Sequence, residues 1–237
     1  MPFSARVNRF KAKSAVESPW IDPWAWTWAE TRQWDMTNAN WDELEAREPD
    51  IGLFWQAADL RDDSNLETAN SIWRSLAEKG SARSMVAMGL SYEFGRGVPI
   101  DFVQAEFWYE RALAGSSTYA MVKCAEFALK RREHSECAAI LRPGVDLGLA
   151  SPQFWQAFCE FNKSEDNQTF TSIFPLLRSS ARQGHPGANS YLTNFMVRGK
   201  FGRIWVPVGL VRATRLAVKK TNEYRPRDQG MPQIGPG

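Results

Sequence analysis

Residues 80 to 115, GSARSMVAMGLSYEFGRGVPIDFVQAEFWYERALAG, constrain the chain more than any other stretch, because they spell a helix, a turn and a second helix. Met85, Met88, Gly89 and Tyr92 recur at helical spacing, as do Phe102, Ala105, Trp108 and Ala112, so each helix has one face to bury and the two faces meet. Gly95 supplies the left-handed residue that ends the first helix, and Pro99 pushes Val98 out of helical geometry. Asp101 restarts the chain as an N-cap, with Gln104 placed to close a capping box. One helical hairpin cannot bury its own apolar face, so the pattern has to recur.

It recurs with decay. Glycines that would close a unit stand at Gly80, Gly115, Gly148 and Gly184, at spacings of 35, 33 and 36 residues. Trp73 falls in register with Trp108, Ala77 with Ala112, and Phe127 with Tyr92. The unit after Gly115 lacks a Gly-x-Gly turn and has Lys130, Arg131 and Arg132 there, while the last has Phe201 where Gly97 stands. Gly89, Tyr92, Gly95, Gly97, Val98, Asp101, Ala105, Trp108, Tyr109, Ala112 and Gly115 together resemble one Sel-one-like repeat, a relative of the tetratricopeptide repeat. The resemblance implies a right-handed, all-α solenoid of antiparallel helix pairs, about four degenerate repeats long, acting as an adaptor or scaffold rather than as a catalyst.

The parts outside the repeats divide by composition. Residues 1–19 are polar and basic, and read as a flexible arm. Residues 20–49 hold Trp20, Trp24, Trp26, Trp28, Trp34 and Trp41, six of the eleven tryptophans, and read as a helical cap over the open end of the solenoid or as a partner platform through Trp20, Trp24 and Trp28. Asn40 with Glu43 opens a short helix, Asp50 caps the next, and Ser64 with Glu67 forms a capping box. Repeats and a closing helix fill residues 50–221. Ser151 and Pro152 read as cap and first turn, Pro175 reads as a helix breaker that is tolerable if Ser172 is the cap, and residues 222–237 read as a disordered tail.

Net charge is only +2, yet its distribution is uneven: residues 17–67 carry a balance of −10 and residues 198–227 one of +8. Stacking in chain order would set these blocks at opposite ends. In the closing helix, Leu210, Ala213, Thr214 and Ala217 form the face to be buried, and Arg212, Arg215 and Lys219 a basic face that could meet an acidic partner or an anionic membrane.

Catalytic and metal-binding patterns are lacking. His134 and Cys137 are three apart, but there is no paired Cys-x-x-Cys and the chain has two histidines, so neither metal nor cofactor is expected. Gly95-x-Gly97 has no strand before it and is a turn, not a nucleotide fingerprint. The expectation is therefore a non-catalytic adaptor binding another protein in the cytoplasm, where Cys124, Cys137 and Cys159 stay reduced. Peripheral membrane binding through the basic helix is the alternative; nucleic acid is the weaker form of it, with charge near zero and no aromatic-basic groove.

Overall fold

The computed structural model describes residues 28–60 and 65–223, with side chains described from 30 to 219. Twelve α-helices and one 3-10 turn make up this part, and no strand occurs among the described residues. Two helices precede the repeats: α1 (Trp28–Thr37) and the short α2 (Trp41–Glu45). Five antiparallel pairs follow: α3 (Ile51–Asp59) with α4 (Leu66–Glu78), α5 (Ala82–Phe94) with α6 (Phe102–Ala114), α7 (Thr118–Lys130) with α8 (His134–Asp146), α9 (Ala150–Lys163) with α10 (Asn167–Arg182), and α11 (Pro186–Val197) with α12 (Val206–Glu223). From α3 to α12 each helix packs on the next, and α7 also packs on α9. The result is a solenoid with one pair more than the four the glycine spacing counts, because the closing helix pairs with α11.

The central hairpin follows its sequence. Asp101 accepts from the amides of Val103 and Gln104 at 2.9 and 3.0 Å, and Gly95 ends α5 at φ 69°. The capping box stays half-made, because the Asp101 amide donates to the Tyr92 carbonyl at 3.0 Å. Gly89 exists for close approach: a Cβ there would lie 2.6 Å from the Tyr109 ring. Gly115 serves the same purpose against Ala82, and the left-handed residue after α6 is Ser116 at φ 67°. Ala105, Trp108, Tyr109 and Ala112 are buried as the pattern requires, but Phe102 is exposed, with the Lys130 ammonium 5.7 Å from its ring centre.

Several local expectations are corrected. Leu149 precedes α9, so Ser151 and Pro152 lie inside the first turn, where a proline forfeits no helical bond. Helix α10 begins at Asn167, capped by Asp166, and runs straight through Pro175; burial of Phe170, Ile173 and Leu177 on one face holds it across the lost backbone bond. Asn65 stands before α4 without a side-chain cap bond, and Ser64 lies outside the described residues.

Two apolar clusters run through the pairs, one from α3 to α7 and one from α7 to α11, and Ile140 packs against both. After the first pair, the first helices are the more enclosed: nine of thirteen residues are buried in α5 and ten of thirteen in α7, against four of thirteen in α6 and three of thirteen in α8. First helices are therefore covered on a second side, and part of that cover comes from the chain's own N-terminal segment.

Candidate functional site

The first helices of stacked hairpins point the same way, so their N-terminal turns line one edge of the inner face of the solenoid. Each such turn presents free amides and the positive end of a helix dipole. Residues 30 to 48 run along that edge from α11 back to α5, against the stacking order, and bring carboxylates to it.

At the far end, Asp35 is buried between two donors contributed by the repeats. Trp155 Nε1 donates to one carboxylate oxygen at 2.9 Å, and His185 Nε2 lies 3.1 Å from the other. His185 is the N-cap of α11, and its Nδ1 accepts from the Ala188 amide at 3.2 Å, so the ring carries its proton on Nε2 and donates to Asp35. Phe154 stacks on the imidazole at a centroid distance of 4.5 Å, and Trp34 meets its edge at 6.1 Å. Thr31 lies over Gly187, where a Cβ would come within 2.8 Å of its hydroxyl.

At the middle, Asn40 stands at the N-cap of α2, as its spacing with Glu43 suggested, but its side chain makes no cap bond to that helix. Its carbonyl oxygen accepts from the Thr118 amide at 3.0 Å, its own amide donates to Thr118 Oγ1 at 3.1 Å, and its Nδ2 donates to the Ser116 carbonyl at 2.9 Å. The side chain thus satisfies a free amide at the start of α7, and its bond to Glu43 is secondary. At the near end, Glu45 pairs with Arg83 of α5, whose guanidinium also covers the rings of Phe54 and Trp55 at 4.6 and 4.8 Å.

Behind the segment lies a buried charge network. Lys123 donates to Glu93 and Glu126 at 2.8 and 2.7 Å, and the Tyr109 hydroxyl donates to Glu93 at 2.8 Å. Arg32 of α1 approaches Glu126 from the solvent side, at 3.8 Å. Burial alone would depress the Lys123 ammonium, but the carboxylates of Glu126 and Glu93 outweigh it and hold the lysine above its usual range. Burial likewise favours a neutral Glu126, and Lys123 with Arg32 outweighs it, keeping this carboxyl below the usual glutamate range. The Tyr109 hydroxyl is pushed far up by burial and by Glu93.

The N-terminal segment is thus a strap along the repeats, not a lid over their open end, and the described part of the acidic block spreads from Asp35 beside the last pairs to Glu45 beside the second rather than gathering at the end opposite the basic block. The N-terminal turns of four first helices attract acidic chain, which explains the placement. Trp20 and Trp24 lie outside the described residues, and Trp28 begins α1 without a described side chain. Helix α12 is also rotated from its expected setting. Gly209 is buried, with room for nothing larger against Met196 and Val197, and that contact turns Arg212 inward to donate to Asn189 at 2.7 Å and Thr193 at 3.3 Å. Burial pulls the Arg212 guanidinium below its usual range. Leu210, Thr214 and Ala217, assigned to the packed face, are exposed beside Arg215 and Lys219.

His134 Nδ1 lies 3.8 Å from Cys159 Sγ. No group of three metal-ligating side chains occurs among the described residues. Burial, with Glu110 and Glu106 nearby, pushes the Cys124 thiol up to about 12. No described helix is long and apolar enough to cross a membrane.

Comparison with known proteins places the architecture. A Sel1 repeat protein from Oxalobacter formigenes superposes with a TM-score of 0.58 over 79% of this chain and 82% of that one, at 16% identity. The fold is that of the Sel1 repeat proteins. A second structure, c5321, a protective antigen of uropathogenic Escherichia coli strains with a Sel1-like repeat fold, is similar at a TM-score of 0.42 and 18% identity over 66% of this chain and 44% of its own. No family model matches the sequence, and no curated protein does either.

Proposed function

We propose that the protein is a non-catalytic scaffold that binds a segment of a partner protein along the inner edge of its Sel1-type repeats. One observation carries this reading: that edge already receives a length of polypeptide, residues 30 to 48, through side-chain bonds from α5, α7, α9 and α11. Solenoids offer extended surfaces of this kind for peptide recognition. The three buried free cysteines support a reducing, cytoplasmic setting. The reading is tested by placing a photo-reactive amino acid at Gln183, beside the strap, or at Arg142, on the exposed side of α8. Partner should be captured from Gln183; capture from Arg142 alone would put the binding face elsewhere.

A second reading keeps support from α12. Leu210, Val211 and Val218 are exposed there alongside Arg215 and Lys219, a combination that suits an anionic membrane surface. Flotation with anionic vesicles, lost on Arg215→Glu with Lys219→Glu, would establish it.

A further inference from the structure

The pocket that holds Asp35 belongs to the repeats. Trp155 and His185 are 1% and 0% exposed, both are fixed by Phe154, and the His185 tautomer is set by a backbone amide of its own helix. The ring contacts and the tautomer are set by α9 and α11 themselves, while α1 completes the enclosure through Trp34 and Asp35. The two rings aim one N–H each at the two oxygens of a single carboxylate, a two-point receptor that a neutral side chain cannot satisfy on both sides.

The present occupant, by contrast, is lightly held. Among its described side chains only Thr31 and Asp35 are buried, both polar, whereas Trp34 and Met36 are half-covered. Its hold therefore combines a few hydrogen bonds with the half-buried packing of Trp34 and Met36, and segments with so little apolar burial open before the core does. The docking is also imperfect. The Trp34 indole N–H is buried without a partner, and a cleft of about 270 Å3 remains between residues 34–40 of the strap and the starts of α7 and α9, lined by Val122, Pro152 and Gln183 among others.

We propose that the Trp155–His185 pocket is a recognition site for a helical protein segment carrying an aromatic side chain followed by a carboxylate, and that α1 is its resident, exchangeable occupant. The aromatic residue takes the place of Trp34 over Gly184 and His185, and the carboxylate takes that of Asp35. The positive ends of the first helices favour further acidic residues C-terminal to the pair, as Glu43 and Glu45 follow Asp35. Tethering gives α1 an effective concentration on the order of millimolar, so partners either bind tightly or arrive at a chain whose strap is loosened. This inference rests on the reading of the inner edge as the binding face.

The test uses the full chain and a fluorescent synthetic peptide copying residues 28–45. The Asp35→Ala chain, freed of its own carboxylate, should bind this peptide roughly 10- to 100-fold more tightly than the wild-type chain, the range expected for charge-assisted hydrogen bonds. A peptide with Asp35→Ala should bind neither chain. Equal affinity of the two peptides for the Asp35→Ala chain would overturn the proposal. Should that variant lose its helical circular dichroism, the wild-type chain decides: millimolar peptide should deprotect the α1 amides to hydrogen exchange while those of α5, α7 and α9 stay protected. An α1 that remains protected overturns exchange. If the peptides fail while partner is still captured from Gln183, the carboxylate pocket is wrong and the binding face stands.

Discussion

The central hairpin α5–α6 and the N-terminal strap α1–α2 lie in one structure and are held by different physics. The hairpin meets through Gly89 against Tyr109, with Met85, Met88, Ala105, Trp108 and Ala112 removed from water. The strap meets the repeats through Asp35, Asn40 and Glu45, each donating or accepting a bond to a residue 38 to 150 positions away, and adds a smaller apolar contact through buried Leu44 and half-buried Met36 and Trp41. Apolar packing is cooperative with the whole fold, whereas a line of separate polar bonds can release one end at a time. The contrast teaches that a solenoid can fasten a segment firmly enough to shield its inner edge without making it part of the core.

The largest expected effect is on the charge network behind the strap. Lys123→Met leaves Glu93 and Glu126 buried without their cation and should cost about 3–5 kcal/mol in urea unfolding. The same network predicts acid sensitivity. The folded-state pKa of Glu126 lies below its unfolded value, so its contribution is present at neutral pH and is lost as pH falls through and below the ordinary glutamate range. The Lys123 pKa is raised, so its contribution is full below the ordinary lysine range and is lost only at strongly alkaline pH. A urea midpoint indifferent to pH between neutrality and the acid limb would contradict this account.

Gly89→Leu comes next, because it drives a side chain into the Tyr109 ring and should cost about 1–3 kcal/mol globally. Unchanged hydrogen exchange in α6 would mean that the close contact of Gly89 with Tyr109 does not hold the hairpin together. Cap loss then separates the two regions directly. Asp101→Ala should lose about 1 kcal/mol of global stability, whereas Asn40→Ala should chiefly speed amide exchange in α1 and α2, leaving α5 and α6 protected. If both mutations lowered the same global midpoint equally, strap and hairpin would be one cooperative unit. The smallest effect belongs to α12: Arg215→Glu with Lys219→Glu should stay within about 0.5 kcal/mol, while Arg212→Glu, which breaks bonds to Asn189 and Thr193, should be visibly destabilising in the same melt.

The sequence by itself determined the hairpins. Gly95, Asp101, Asp50 and the small and aromatic residues at helical spacing act on neighbours a few positions away, so local chemistry states their conformation, and the resemblance to a Sel-one-like repeat matched the fold that superposition supports. Local signals also reached their limit locally. Pro175 reads as a helix breaker from its neighbours alone, because the burial of Phe170 and Leu177 that carries α10 past it comes from other helices. Only the tertiary structure decided where the tryptophan-rich, acidic segment goes and which way α12 turns. Asp35 finds Trp155 and His185 across 120 and 150 residues, and nothing in a single sequence ties those positions together. Arg212 faces inward because Gly209 allows α12 to seat against Met196, a close approach that charge patterning does not register. Helix formation is written in short-range periodicity; the docking of a polar strap depends on donors and acceptors that meet only once the repeats have stacked.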